Sequence, residues 1–120
     1  MPAVLALGLD PTFVAIPESP SLTPDLVRAF IEWQLERLRA SGYEVISCLV
    51  DVGDTAEAVT MEVLKSREFD CVVIGAGLRE PVHLLLFEKL LNLIHAHAPG
   101  AKLCFNTSPK DTLEAVRRWG

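Results

Sequence analysis

The chain has 120 residues, half of them hydrophobic and 22% charged, which is enough apolar material for one ordinary domain and excludes a disordered polar chain. The net charge of −5, with 11 Lys and Arg scattered along the sequence, excludes the clustered basic face that a nucleic-acid partner needs. No apolar run is long enough for a membrane span, and no signal or targeting segment is visible, so the expectation is one cytoplasmic domain over residues 1–120 with no membrane partner.

In chain order, Ala3 to Leu9 is a short apolar run that reads as the first strand. A long connection from Asp10 to Thr23 follows, carrying Pro11, Pro17 and Pro20, and its length suggests a lid or binding segment. Thr23 caps a predicted helix with Pro24 at its first position, and Gly42 stops that helix after Ser41. Tyr43 to Val52 is the second predicted strand. Asp54 and Glu57 give a capping-box start to a second helix that runs to about Arg67. Cys71 to Ile74 is the third strand, and Pro81 opens a third helix closed by Pro99-Gly100. Lys102 to Asn106 is the fourth strand, and Ser108-Pro109 begins a last helix that ends with Arg117 and Arg118 in its favourable final turn.

An order of βαβαβαβα requires parallel strands, right-handed crossovers and helices on both faces of an open sheet. The predicted fold is a three-layer, doubly wound α/β domain of the Rossmann-like or flavodoxin-like kind, with four parallel strands in the order 2-1-3-4 and a switch point between the first and third. The three cysteines lie within strand-like runs without C-x-x-C spacing, and the expectation is three buried thiols.

Ligands of such sheets bind beyond the carboxyl ends of the strands. Those ends carry Asp10, Asp51, the segment Gly75-Ala76-Gly77-Leu78-Arg79, and Asn106, Thr107 and Ser108. Gly75 and Gly77 can bring the backbone against an anion, with Arg79 as a bidentate clamp, while the bland alternative is a strand-to-helix turn with Arg79 in water. The third glycine of a dinucleotide fingerprint is replaced by Glu80, and no acidic residue ends the next strand, which argues against NAD or FAD. His83 projects from near the centre of a broad apolar arc on the third helix, so it reads either as a buried core histidine or as an acid or base beside the site. His95 and His97 point to different faces, and no metal is expected. Ser108 reads as a helix cap before it reads as a nucleophile. The third helix, and the first with Phe30, Ile31 and Trp33, carry more apolar surface than packing on one sheet uses, which suggests a homodimer through helices.

From Val50 to Phe105 the chain resembles the carboxyl-terminal half of a universal stress protein, through "DTAEAV", "FDCVVIGAG" and "IHAHAP". The resemblance implies an α/β domain, a dimer, and a nucleotide site at the glycine loop. The ATP loop of that family has the form G-x-x-G followed at a distance by G-[ST]. Here Gly75-Ala76-Gly77 is one residue tighter, and Phe87 and Glu88 stand where the second glycine and hydroxyl would fall.

Three functions are open on this reading. One is a module that binds a nucleotide or other small anionic metabolite at the strand ends. Another is an enzyme at the same place using His83. The third is a non-catalytic interaction domain acting through its exposed helix faces.

Overall fold

A computed structural model describes residues 1–13, 23–53 and 55–119. Strands β1 (Ala3–Leu9), β2 (Glu44–Val50), β3 (Cys71–Ile74) and β4 (Lys102–Phe105) form one sheet in the order β2-β1-β3-β4, with every pairing parallel. Helices α1 (Pro24–Ala40), α2 (Ala56–Ser66), α3 (Leu84–His97) and α4 (Thr112–Trp119) cover its two faces, giving the doubly wound α/β architecture that the sequence implies. No helix of the described residues is long and apolar enough to cross a membrane.

Local chemistry sets the element ends. The Thr23 hydroxyl accepts from the Leu26 amide at 3.2 Å, and Pro24 occupies the first position of α1, where it has no amide to leave unpaired. At the other end Gly42 takes a φ of +98°, and the Tyr43 amide returns to the Leu38 carbonyl at 3.2 Å. That left-handed step disfavours any residue with a Cβ. The capping box expected at Asp54 falls on a residue outside those described, and what organises the approach to α2 is Asp51, which accepts from the Thr55 hydroxyl at 2.7 Å and the Gly53 amide at 3.1 Å. The prolines that open the last two helices start tighter turns: Pro81–His83 and Pro109–Asp111 are 3₁₀ turns, and α-helix begins only at Leu84 and Thr112.

The period of two along the strands separates two cores. Leu5, Leu7 and Leu9 of β1, with Val72 and Ile74 of β3, face α2 and α3. Val4 of β1, Cys71 and Val73 of β3 and Cys104 of β4 face Leu35 and Leu38 of α1 and Leu113 and Val116 of α4. All four residues of β3 are buried, as a central parallel strand with both faces covered requires.

The cysteines differ from the three separate thiols expected. Cys48 is a free, buried thiol whose pKa is pushed up by burial. Cys71 and Cys104, by contrast, are paired with each other across β3 and β4, their Cα atoms 6.9 Å apart. The register aligns Val73 with Cys104 and so sets Cys71 diagonally beside it on the same face.

Candidate functional site

On the α1/α4 face the two central strands taper toward their carboxyl ends. β1 presents Val4, Ala6 and then Gly8, and β3 presents Cys71 and Val73, with Gly75 directly after its last residue. Since α1 spans the taper with Val27, Ile31 and Leu35, the missing side chains leave a cavity of about 270 Å³ above β1 and β3, at the topological switch point. Leu49 of β2 and Pro11 complete its apolar wall, and Asn106, Thr107, Ser108 and Thr112 line its polar side. Among the described residues, Glu80 is the charged one on its lining. A second groove, of about 430 Å³, runs along α1 and β2, shares Ile31, Ser47 and Leu49 with the cavity, and is flanked by Asp25, Arg28 and Glu32.

The glycines act here by what they lack. Gly75 has φ −68° and ψ 153°, a conformation open to any residue, and its amide donates to the Leu7 carbonyl at 2.9 Å. A Cβ on Gly75 would meet the Gly8 Cα at 3.6 Å, and one on Gly8 would meet Leu49 Cδ2 at 3.4 Å, both ordinary contacts. Ala76–Arg79 is a 3₁₀ turn, and among the described residues Gly42 is the only one of positive φ. The Gly75–Gly77 segment therefore does not take the alternating right- and left-handed form of an anion nest.

Arg79 lies behind the polar wall, not on the cavity surface. Its guanidinium Nη2 donates to the backbone carbonyl of Asn106 and, at 3.3 Å, to Asn106 Oδ1, while its carbon sits 4.8 Å from the centre of the Phe105 ring. Burial lowers the Arg79 pKa, with the charges of Asp111 and Glu80 acting in the opposite sense. Asn106, only 6% exposed, passes the connection on by donating from Nδ2 to Thr112 Oγ1 at 3.1 Å. Asp111 holds the turn between them, accepting from the Thr107 amide and hydroxyl at 2.8 and 2.7 Å and from the Ser108 amide at 3.2 Å. Burial would raise the Asp111 carboxyl, but these hydrogen bonds outweigh it and keep it below the ordinary carboxylate value.

Of the residues the sequence singles out, the cavity brings together Gly75, Gly77, Asn106, Thr107 and Ser108. Asp10, Asp51 and His83 are not on its lining. Asp10 pairs with Arg28 at 2.8 Å and accepts from the Thr12 amide at 2.9 Å, and these bonds, led by the Thr12 amide, lower its pKa. Asp51 organises the α2 approach, with its pKa lowered first by the Thr55 hydroxyl. His83 is half-buried in the turn ahead of α3, the helix that packs on the opposite face. Asp111 and Thr112 escaped the sequence reading although S-P-K-D at 108–111 is a capping pattern that could have flagged the aspartate. No cluster of three or more His, Cys, Asp or Glu among the described residues is arranged to hold a metal ion.

Comparison of the chain with protein-family models and with curated proteins found no match.

Proposed function

We propose that the protein is a small-molecule-binding domain whose ligand places a compact apolar body in the cavity above β1 and β3. The observation that carries this reading is the double taper, Val4-Ala6-Gly8 beside Cys71-Val73-Gly75, which opens space at the place where open α/β sheets take ligands. The cavity is smaller than the usual range for a drug-sized ligand, roughly 300 Å³ upward, and suits one ring-sized group. A dinucleotide is too large for it.

An anionic end, such as the phosphate of a nucleotide, is less well served. Arg79 donates to Asn106 and Arg28 is paired with Asp10 and Asp25, so an anion reaching for either arginine has to compete with those partners, and Glu80 opposes it. The experiment is a thermal-shift panel of nucleotides, phosphorylated metabolites and uncharged aromatic and aliphatic compounds, on the wild type and on Gly8→Val, which puts a branched side chain into the cavity. Uncharged compounds that stabilise the wild type and not the variant are the expected result. Stabilisation by anions that survives in Gly8→Val and is lost in Arg79→Met overturns it in favour of an anion site at the rim.

A second reading has its own support on α1. Leu26, Phe30 and Trp33 are 52%, 41% and 59% exposed at i, i+4 and i+7 on one side of the helix, and the Phe30 and Trp33 rings stack at 6.3 Å. This stripe is the basis for proposing a homodimer through α1. Sedimentation equilibrium of the wild type and Trp33→Glu tests it: a dimer converted to monomer by the variant is expected, and a monomeric wild type at high micromolar concentration ends the proposal.

A further inference from the structure

We infer that Asn106 is the specificity-determining residue of the cavity, with its side-chain amide locked as a donor, so that the site selects an uncharged ligand bearing a hydrogen-bond acceptor of the carbonyl kind. The inference rests on the binding reading above and narrows it.

The orientation of the Asn106 amide is fixed from both ends. On one side its neighbour is the Arg79 guanidinium, which can only donate, so the atom facing it at 3.3 Å must be Oδ1. On the other side is the Thr112 hydroxyl, whose hydrogen is committed to the Pro109 carbonyl at 2.6 Å. Thr112 Oγ1 must therefore accept, and the group facing it at 3.1 Å must be Nδ2. A flipped amide would set Oδ1 against an oxygen that has no hydrogen to offer and Nδ2 against a guanidinium. Two independent partners thus give one answer.

An amide nitrogen carries two hydrogens, and among the described residues Nδ2 makes the one bond, to Thr112. Asn106 lines the cavity and is 6% exposed, and we assign its second N–H to the cavity side, where a hydrogen bond is not diluted by bulk water. Leaving that donor unmet beside an apolar ligand has a cost, while a carbonyl oxygen satisfies it. Sites that hold a fixed hydrogen-bonding group reject analogues lacking the partner far more strongly than apolar walls reject a change of shape. A carboxylate on the ligand would meet the same donor but would also enter a cavity whose charged lining residue, among those described, is Glu80. The favoured class is thus a neutral carbonyl compound with a ring-sized apolar body.

The test uses a matched pair of probes, acetophenone and isopropenylbenzene, which differ in having a carbonyl oxygen or a methylene carbon at the same place. Titration is followed by ¹H–¹⁵N correlation spectra of the wild type, in which Gln34, Asn92 and Asn106 are the only side-chain carboxamides and give three NH₂ pairs. The Asn106 pair is identified by its absence in Asn106→Asp or, should that variant not fold, by its NOEs to Thr112. Acetophenone is expected to bind roughly tenfold more tightly than isopropenylbenzene, as befits one neutral hydrogen bond, and to move one proton of the Asn106 pair downfield. In Asn106→Asp, where an acceptor replaces the donor, that preference should vanish.

Equal affinities with an unmoved Asn106 pair, both abolished by Gly8→Val, overturn the role of Asn106 and leave the cavity reading standing. Binding of neither probe at millimolar concentration, or binding indifferent to Gly8→Val, overturns both.

Discussion

Gly8→Val is the perturbation that reports most directly on the cavity. Gly8 is on β1, a central strand where glycine costs roughly 0.5–1 kcal/mol through its backbone freedom. Its φ is not in the left-handed range, and a Cβ would rest 3.4 Å from Leu49 Cδ2, so a branched side chain meets neither a conformational nor a steric bar at its first atom. Beyond Cβ, the two methyl groups of valine enter the cavity, where each buried carbon contributes up to about 0.8 kcal/mol. Against this stand the lost χ1 freedom and the incomplete contact such groups make in a space larger than themselves. The sum is a gain of about 1–2 kcal/mol, which in a domain of this size raises the melting temperature on the order of 5 °C. Urea denaturation at fixed pH measures the free energy, and calorimetry the melting temperature. The midpoint should rise with no change in m-value. A loss of about 1 kcal/mol or more would refute the reasoning, since it would mean that the space over Gly8 is already filled and that valine overpacks it.

Other substitutions test the polar wall and the turns. Arg79→Met should destabilise by about 2–3 kcal/mol, because it leaves the Asn106 carbonyl and Oδ1 without their charged donor and removes the stack on Phe105. Arg79→Lys should recover less than half of that, an ammonium being unable to stack and donate as the flat guanidinium does, and the two urea midpoints decide the matter. For Asp111 the folded pKa lies below the unfolded one, so its stabilisation is complete above the ordinary carboxylate value and is lost as pH falls through the lowered folded value. The wild type should thus lose more stability between about pH 5 and pH 2 than Asp111→Asn does, and equal losses in acid titrations would remove Asp111 from the account. Gly42→Ala should cost about 1–2 kcal/mol, all of it from the φ of +98°, since a Cβ there has nothing within 4 Å; Gly42→Asn should cost less.

Much of the fold was legible because it rests on local chemistry. The β1 and β3 runs have the ends the sequence suggests, Thr23-Pro24 and Gly42 bound α1 as their chemistry dictates, and alternation of strands with helices leaves few topologies besides 2-1-3-4. β2 is shorter than the apolar run that marks it, ending at Val50 where Asp51 turns to α2. The apolar arc of the third helix fails at its start for a definite reason. Pro81–His83 turns as a 3₁₀ helix at about 120° per residue, so the phase counted at 100° does not extend back through it. Val82, which a count at 100° sets on one arc with Leu90 and Ile94, lies in that turn and is 82% exposed, whereas Leu90 and Ile94, well inside the α-helix, are buried. The pairing of Cys71 with Cys104 was beyond any local pattern, because it depends on which strands are neighbours and on their register.

The candidate site was half legible for a related reason. Glycines and polar residues at strand ends can be read along the chain, but whether a side chain faces a ligand or another side chain is decided across it. Arg79, the natural anion clamp in the sequence, is 27 residues from Asn106 and bonded to it, and that contact changes the meaning of both. The arginine becomes a support, and the asparagine it supports becomes the group with a hydrogen to spare. The same holds for Gly75: read alone it suggests a backbone that must come close to a phosphate, yet beside Gly8, at the far end of Val4-Ala6-Gly8, it is one wall of an empty volume. On the proposed binding reading, recognition is therefore to be sought in shape and in one oriented amide, and the first ligands to try are neutral ones.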